Sequence, residues 1–114
     1  MSDCLFCRII AREIPASIVY EDDRVIAFND ITPQAPTHVL VVPKRHIQSL
    51  NELQQDDDEI VGELIRRAAA IAKEREVSAG GFRTVFYTNR DGGQTVFHIH
   101  VHLLGGRRMQ WPPG

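Results

Sequence analysis

Apolar residues alternate with polar ones over several short stretches of this chain and recur at three- to four-residue spacing over two others. Leu5, Phe6, Ile9 and Ile10 share one face of a helix over 4–12, closed off before Pro15. Residues 17–21 read as a strand, Asp22, Asp23 and Arg24 as a turn, and 25–28 as the hairpin partner. A loop over 29–36 is fixed by Pro33 and Pro36, and a β-branched run over 38–42, central in a sheet, is ended by Pro43. The one long helix runs from Asp56 to about Val77, because Ile60, Leu64, Ile65, Ala68, Ile71 and Ala72 recur at helical spacing. Asp56, Asp57, Asp58 and Glu59 stand at its start, where the helix dipole favours negative charge, and read as a solvated cap rather than a metal site. Residues 78–81 end the helix, 82–88 form a strand, 89–93 a turn, and 95–104 the returning strand. Five strands joined by hairpins, with one long and one short helix, predict an α+β domain with an antiparallel sheet. That domain spans 1–114, with 105–114 as an irregular C-terminal tail holding the only tryptophan, Trp111. Such a tryptophan docks either on its own domain or on a partner subunit.

Composition narrows the function classes. A length of 114 residues suffices for one domain with a real core, and 43% hydrophobic and 25% charged residues are ordinary for a soluble globule. The net charge is −2, and Lys44-Arg45 and Arg107-Arg108 are too short for a nucleic-acid groove. No apolar run approaches the roughly 18 residues of a membrane span. The start Met1-Ser2-Asp3-Cys4 lacks the features of a signal peptide, so a cytoplasmic location is expected.

The most informative segment is His98-Ile99-His100-Val101-His102-Leu103-Leu104. On a strand, alternate side chains share a face, which sets the three imidazoles side by side at about 7 Å steps. Ile99, Val101 and Leu103 then point into the core. Such a row suits zinc binding, general acid–base work, or covalent catalysis by an imidazole nitrogen on an electrophile such as phosphorus. Gly92-Gly93-Gln94-Thr95 just upstream offers unobstructed backbone N–H groups, an amide and a hydroxyl, donors that suit phosphate and favour phosphorus chemistry.

Cys4-x-x-Cys7 has its own readings. The pair are buried thiols, or half a zinc site that His46 and His98 could complete. A thioredoxin-like redox pair is disfavoured, since the βαβ context is absent.

The string 92–104, with its His-φ-His-φ-His-φ-φ core, resembles the signature of the histidine triad (HIT) family. Glu13-Ile14-Pro15-Ala16, Phe28-Asn29-Asp30-Ile31 and Pro33-Gln34-Ala35-Pro36-Thr37-His38 extend the likeness upstream. Leu104-Gly105-Gly106-Arg107 and Trp111-Pro112-Pro113-Gly114 resemble the Hint branch, the histidine triad nucleotide-binding proteins. The third histidine separates the chain from the uridylyltransferase-type branch.

This resemblance implies a HIT-like fold, and a homodimer whose two sheets join, with a purine-nucleotide site on each subunit. It implies hydrolysis of nucleoside 5′-phosphoramidates and acyl-adenylates, releasing AMP through a covalent nucleotidyl-histidine. His100 would be the nucleophile, with His102 and His38 at the phosphate. Gly93, Gln94 and Thr95 would add donors, Thr95 standing where serine is usual. Asp30 would accept from the ribose hydroxyls, with Asn29 beside it, while Phe6, Ile9, Ile14, Phe28 and Ile31 line the base slot and Trp111 reaches toward the other subunit's site. Tyr87 stands where an asparagine is usual, and Asn89, two positions on, would substitute for it if the strand stays regular. The resemblance also implies a structural zinc on Cys4, Cys7, His46 and His98, and no organic cofactor. Two other functions compete: a dinucleoside polyphosphate hydrolase, and a nucleotide-binding regulatory protein with vestigial catalysis.

Overall fold

The computed structural model describes residues 3–114; Met1 and Ser2, part of the start read for a leader, lie outside them. Five antiparallel strands form one sheet in the order β1-β2-β3-β5-β4: β1 (Ile18–Glu21), β2 (Val25–Asn29), β3 (Thr37–Pro43), β4 (Phe82–Val85) and β5 (Val101–Gly105). β1–β2, β2–β3 and β4–β5 are consecutive neighbours, but β3 pairs with β5 and not with β4, so hairpins do not join all five strands as the spacing of the segments suggests. The long helix carries the chain from β3 to β4, and β5 then returns between those two strands.

Alternation decides which side chain goes where. Val25, Ala27, Val39, Val41, Val101 and Leu103 face one side, against helix α2 (Asp58–Glu74). Ile26, Phe28, Leu40 and Val42 face the other, against Phe6 and Ile9 of helix α1 (Leu5–Ile10). Both faces of the inner strands are therefore buried, and a one-residue slip would carry the histidines into the α2 layer.

Helix α2 buries Ile60, Leu64, Ala68, Ile71 and Ala72, as their spacing requires. Ile65, counted in the same stripe, lies about 100° round the helix from Leu64 and is largely exposed. The acidic start divides its labour. Asp57 is buried, accepts from the Gln54 backbone N–H at 2.8 Å and pairs with Arg45, while Asp58 and Glu59 occupy the first helical turn. The helix stops at Glu74, earlier than its apolar spacing suggests, because Glu76 takes a left-handed conformation (φ 60°) and Val77 N–H bonds back to Ala72 O at 3.0 Å.

At the far end of β5, two glycines permit close packing. A Cβ on Gly105 would lie 2.8 Å from Val77 Cγ2, and Gly106 has a φ of 94° beside Pro36. Arg107 Nε then donates to Gln34 O at 2.9 Å, tying the tail back to the loop before β3. Among the described residues no helix is long and apolar enough to cross a membrane.

Candidate active site

The histidine segment is not one continuous strand. Strand β5 begins at Val101, and His98 and His100 lie in the irregular approach to it. Ile99 N–H is drawn off to Ile47 O at 2.7 Å, which interrupts the ladder there. Facing survives nonetheless. Ile99, Val101 and Leu103 join the α2 core, and all three imidazoles lie on the α1 side.

His100 is held by His98. Its Nδ1 lies 2.7 Å from the carbonyl oxygen of His98, so Nδ1 carries the proton and Nε2 keeps its lone pair. His102 has the opposite arrangement. Gln34 N–H donates to His38 Nδ1 at 3.0 Å, which leaves the His38 proton on Nε2. His38 Nε2 donates to His102 Nδ1 at 2.9 Å, and the His102 proton therefore sits on Nε2. That Nε2 is buried with no hydrogen-bond partner. Two neighbouring rings, 4.9 Å apart, thus offer one lone pair and one N–H. Asp30 Oδ2 lies 3.4 Å from His38 Nε2. Although Asp30, His38 and His102 lie close enough to suggest a metal site, the shared proton occupies nitrogens that a metal would need.

Burial governs the charge of these rings. It lowers the pKa of His38 and of His100, in both cases against the opposing pull of Asp30. It pushes His102 down to about 4, with the neighbouring His100 and His38 adding to the effect. A neutral cluster at physiological pH is the consequence.

Above these rings lies a cavity of about 350 Å³, a size suited to a small-molecule ligand. Phe6, Ile9, Ile14, Phe28, Asn29, Asp30, Ile31, Gly93, Thr95, His100 and His102 line it, so most of the sequence-predicted residues come together. Ile31 sits at its mouth, 97% exposed. His38 does not line it, and meets it through His102 and Asp30.

Two expectations, for Gln94 and Asn89, meet a different arrangement. Gln94 is buried outside the lining; its Oε1 accepts from Asn89 N–H at 2.9 Å, and its Nε2 donates to Gln48 O at 2.9 Å and Val96 O at 3.1 Å. The amide closes the loop that presents Gly93 and Thr95, and its own donors are engaged there. Asn89 is not on a strand continuing from Tyr87. Strand β4 ends at Val85, a short helix α3 (Asn89–Gly92) replaces the expected hairpin turn, and Asn89 is exposed at φ 57° outside the cavity. Asn29 lines the cavity with its amide already engaged, to Ser17 Oγ at 2.9 Å and Arg75 at 3.1 Å. Trp111, expected at the other subunit's site and not at this one, is 83% exposed and lies outside this cavity.

The sequence reading missed Leu5, Pro15, Ala16, Ser17, Leu40 and Val96 as lining residues. Leu40 had a signal, since it follows His38 by two on the same strand and so shares its face. Val96 had none, because its placement depends on the Gln94 bonds.

Beside this cavity, Cys4 Sγ lies 3.3 Å from His98 Nδ1, and Cys7 Sγ lies 3.3 Å from His46 Nδ1 and 3.4 Å from His98 Nδ1. The two Nδ1 atoms are 3.1 Å apart, and all four ligand atoms fall within 4.8 Å of one another. Tetrahedral zinc with Zn–S near 2.3 Å and Zn–N near 2.05 Å has edges of about 3.3–3.8 Å. His98 Nε2 donates to Pro43 O at 2.7 Å, which leaves Nδ1 as a lone-pair donor facing the thiols. His98 is wholly buried, and burial pushes its pKa down to about 4, keeping that lone pair available. Spacing, tautomer and donor types all fit zinc.

Residues 11–109 match the HIT domain family. The chain belongs to that family. Over 112 residues, 98% of this chain and 97% of the relative, it is 51% identical to an uncharacterized HIT-like protein of Synechococcus elongatus. It is 49% identical over 107 residues, 94% of this chain and 90% of the relative, to the purine nucleoside phosphoramidase of Escherichia coli. Among solved structures, a HIT family hydrolase from Legionella pneumophila superposes with a TM-score of 0.97 at 52% identity, covering 98% of this chain and all of that one. A histidine triad protein from Clostridium difficile gives 0.92 at 45% identity, covering 96% of each chain. The fold is thus the HIT fold.

Proposed function

We propose that this HIT hydrolase cleaves purine nucleoside 5′-phosphoramidates and related acyl-adenylates, releasing AMP through a nucleotidyl group carried on His100. The opposed tautomers of His100 and His102 carry this reading. Nε2 of His100 supplies an electron pair, and Nε2–H of His102 supplies a donor for the phosphate oxygen, where charge accumulates. The nucleoside lies in the apolar end among Phe6, Ile9, Phe28 and Ile14, with its ribose hydroxyls toward Asp30.

His100 attacks the α-phosphorus, a bond from Nε2 to phosphorus forms, and the phosphorus–nitrogen bond breaks with its electron pair going to the amine. The leaving nitrogen takes a proton from water, relayed through the Thr95 hydroxyl at the cavity wall, and the water that attacks in the next step returns one proton to solvent. Water then cleaves the nucleotidyl-imidazole, a linkage with a good leaving group, and returns free His100 and AMP. Nδ1–H stays on the His98 carbonyl throughout, steadying the positive charge of the substituted ring. The phosphoramidase name borne by the Escherichia coli relative supports the choice of substrate.

Zinc on Cys4, Cys7, His46 and His98 would supply a closed structural clip that fastens α1 to the sheet. Reduced thiols at such a site accord with a cytoplasmic location. The family resemblance also supports a homodimer, for which β4 offers an edge paired on one side only.

The reading is tested by quenching protein during turnover of adenosine 5′-phosphoramidate and mapping adducts by mass spectrometry. One AMP-derived group on the peptide containing His100 is expected. Turnover without any adduct there, in a variant slowed at the water step, overturns it.

A further inference from the structure

The rings beneath the cavity continue past the reacting imidazole. Phe28, Phe6, His100, His102 and Tyr87 follow one another with centroid separations of 5.3, 4.8, 4.9 and 4.4 Å. The Phe28–Phe6 end is the apolar one, and under the proposed function it receives the nucleoside. Tyr87 closes the opposite end, tilted 34° against His102. Sheet register puts it there. Val85 pairs with His102, and Tyr87, two residues on, projects from the same sheet face just beyond the end of the ladder.

Tyr87 also belongs to a second hollow of about 290 Å³, where Val85, Leu104, Met109 and Pro112 supply hydrocarbon. Arg83, in the same hollow, donates to the carbonyl of Gln110 and so holds the tail as its far wall. One phenol ring is therefore the wall that the two hollows share. With the nucleoside filling the Phe6 half and His100 below phosphorus, a substituent on the leaving nitrogen that turns along the row of rings meets Tyr87.

We propose that Tyr87 is a specificity-determining residue for the leaving group, an inference that rests on the phosphoramidate-hydrolase reading. Its ring favours leaving amines that carry a planar or hydrocarbon substituent over an unsubstituted nitrogen, and the groove beyond it takes the overhang. An aromatic substituent gains contact with the Tyr87 ring and with the hydrocarbon of Val85, Leu104 and Met109. An unsubstituted nitrogen is too small to reach them.

The experiment compares kcat/KM for adenosine 5′-phosphoramidate and its N-phenethyl derivative in wild type, Tyr87→Phe and Tyr87→Ala. In Tyr87→Ala the preference for the phenethyl substrate should fall roughly tenfold or more, through a higher KM for that substrate. Tyr87→Phe, which keeps the ring and loses only the hydroxyl, should restore the preference. Thermal unfolding of each variant reads its fold directly. A uniform loss on both substrates in folded Tyr87→Ala, with the preference intact, overturns the inference while leaving the hydrolase reading standing. A wild type inert toward both substrates overturns the two together.

Discussion

The Nδ1 atom of His100 donates to the carbonyl oxygen of His98 at 2.7 Å, while the His98 ring is fixed between Pro43 O and the thiols of Cys4 and Cys7. The backbone that orients the proposed nucleophile is thus held by a residue belonging to the cysteine–histidine cluster. One histidine sets the tautomer of the other.

Because His100 provides the attacking electron pair but only part of the cavity lining, His100→Ala should separate chemistry from binding. Turnover is expected to fall by at least about a thousandfold, with AMP affinity kept within roughly tenfold. Steady-state kinetics and calorimetric titration with AMP measure the two. Parallel loss of both would assign His100 to binding.

The cysteine–histidine cluster gives a metal prediction. Protein prepared without chelator should carry about one zinc per chain, and Cys7→Ser should lose most of it. Removing the metal should lower Tm by at least about 4 °C, the shift that ~1 kcal/mol gives a domain of this size. Elemental analysis and thermal unfolding decide the matter, independently of any rate.

Burial pushes His102 down to about 4, so the folded chain prefers its neutral ring. In the unfolded chain the same ring titrates near 6.5. Its contribution to stability is whole above about pH 6.5, shrinks as protons bind the unfolded chain, and is lost as pH falls through the folded value. Tm should therefore drop between pH 6.5 and 4, and His102→Gln should flatten part of that slope. Equal slopes in both proteins would show that the ring is not held neutral by the fold.

Two glycines offer a packing contrast. A Cβ at Gly105 meets Val77 Cγ2 at 2.8 Å and Cβ at 2.9 Å, whereas a Cβ at Gly80 meets nothing within 4 Å. Gly105→Ala should cost about 1–3 kcal/mol in urea denaturation, and Gly80→Ala should stay within about 0.5 kcal/mol. Similar costs would mean that the β5–Val77 contact yields without strain.

Local periodicity reaches a definite distance into this protein. Alternation over 98–104 assigned imidazoles to one face and Ile99, Val101 and Leu103 to the other, and the fold keeps that division even where the strand itself gives way. Helical spacing identified the buried stripe of α2, and the Cys-x-x-Cys spacing on α1 pointed to ligands. A side chain's facing follows from the geometry of its own segment, so the sequence carries it. What a segment pairs with does not. The return of β5 between β3 and β4 sets Leu40 opposite His102, brings His38 within 2.9 Å of that ring, and aligns Tyr87 beyond it. Hydrogen bonds across 46 and 64 residues, from Gln94 to Gln48 and from His38 to His102, then decide which donors face the cavity and which are engaged elsewhere. The sequence alone determined the chemistry available, because side-chain type and local facing are properties of neighbouring residues. Only the tertiary structure decided where each proton sits, because a tautomer is set by partners that the chain brings together from afar.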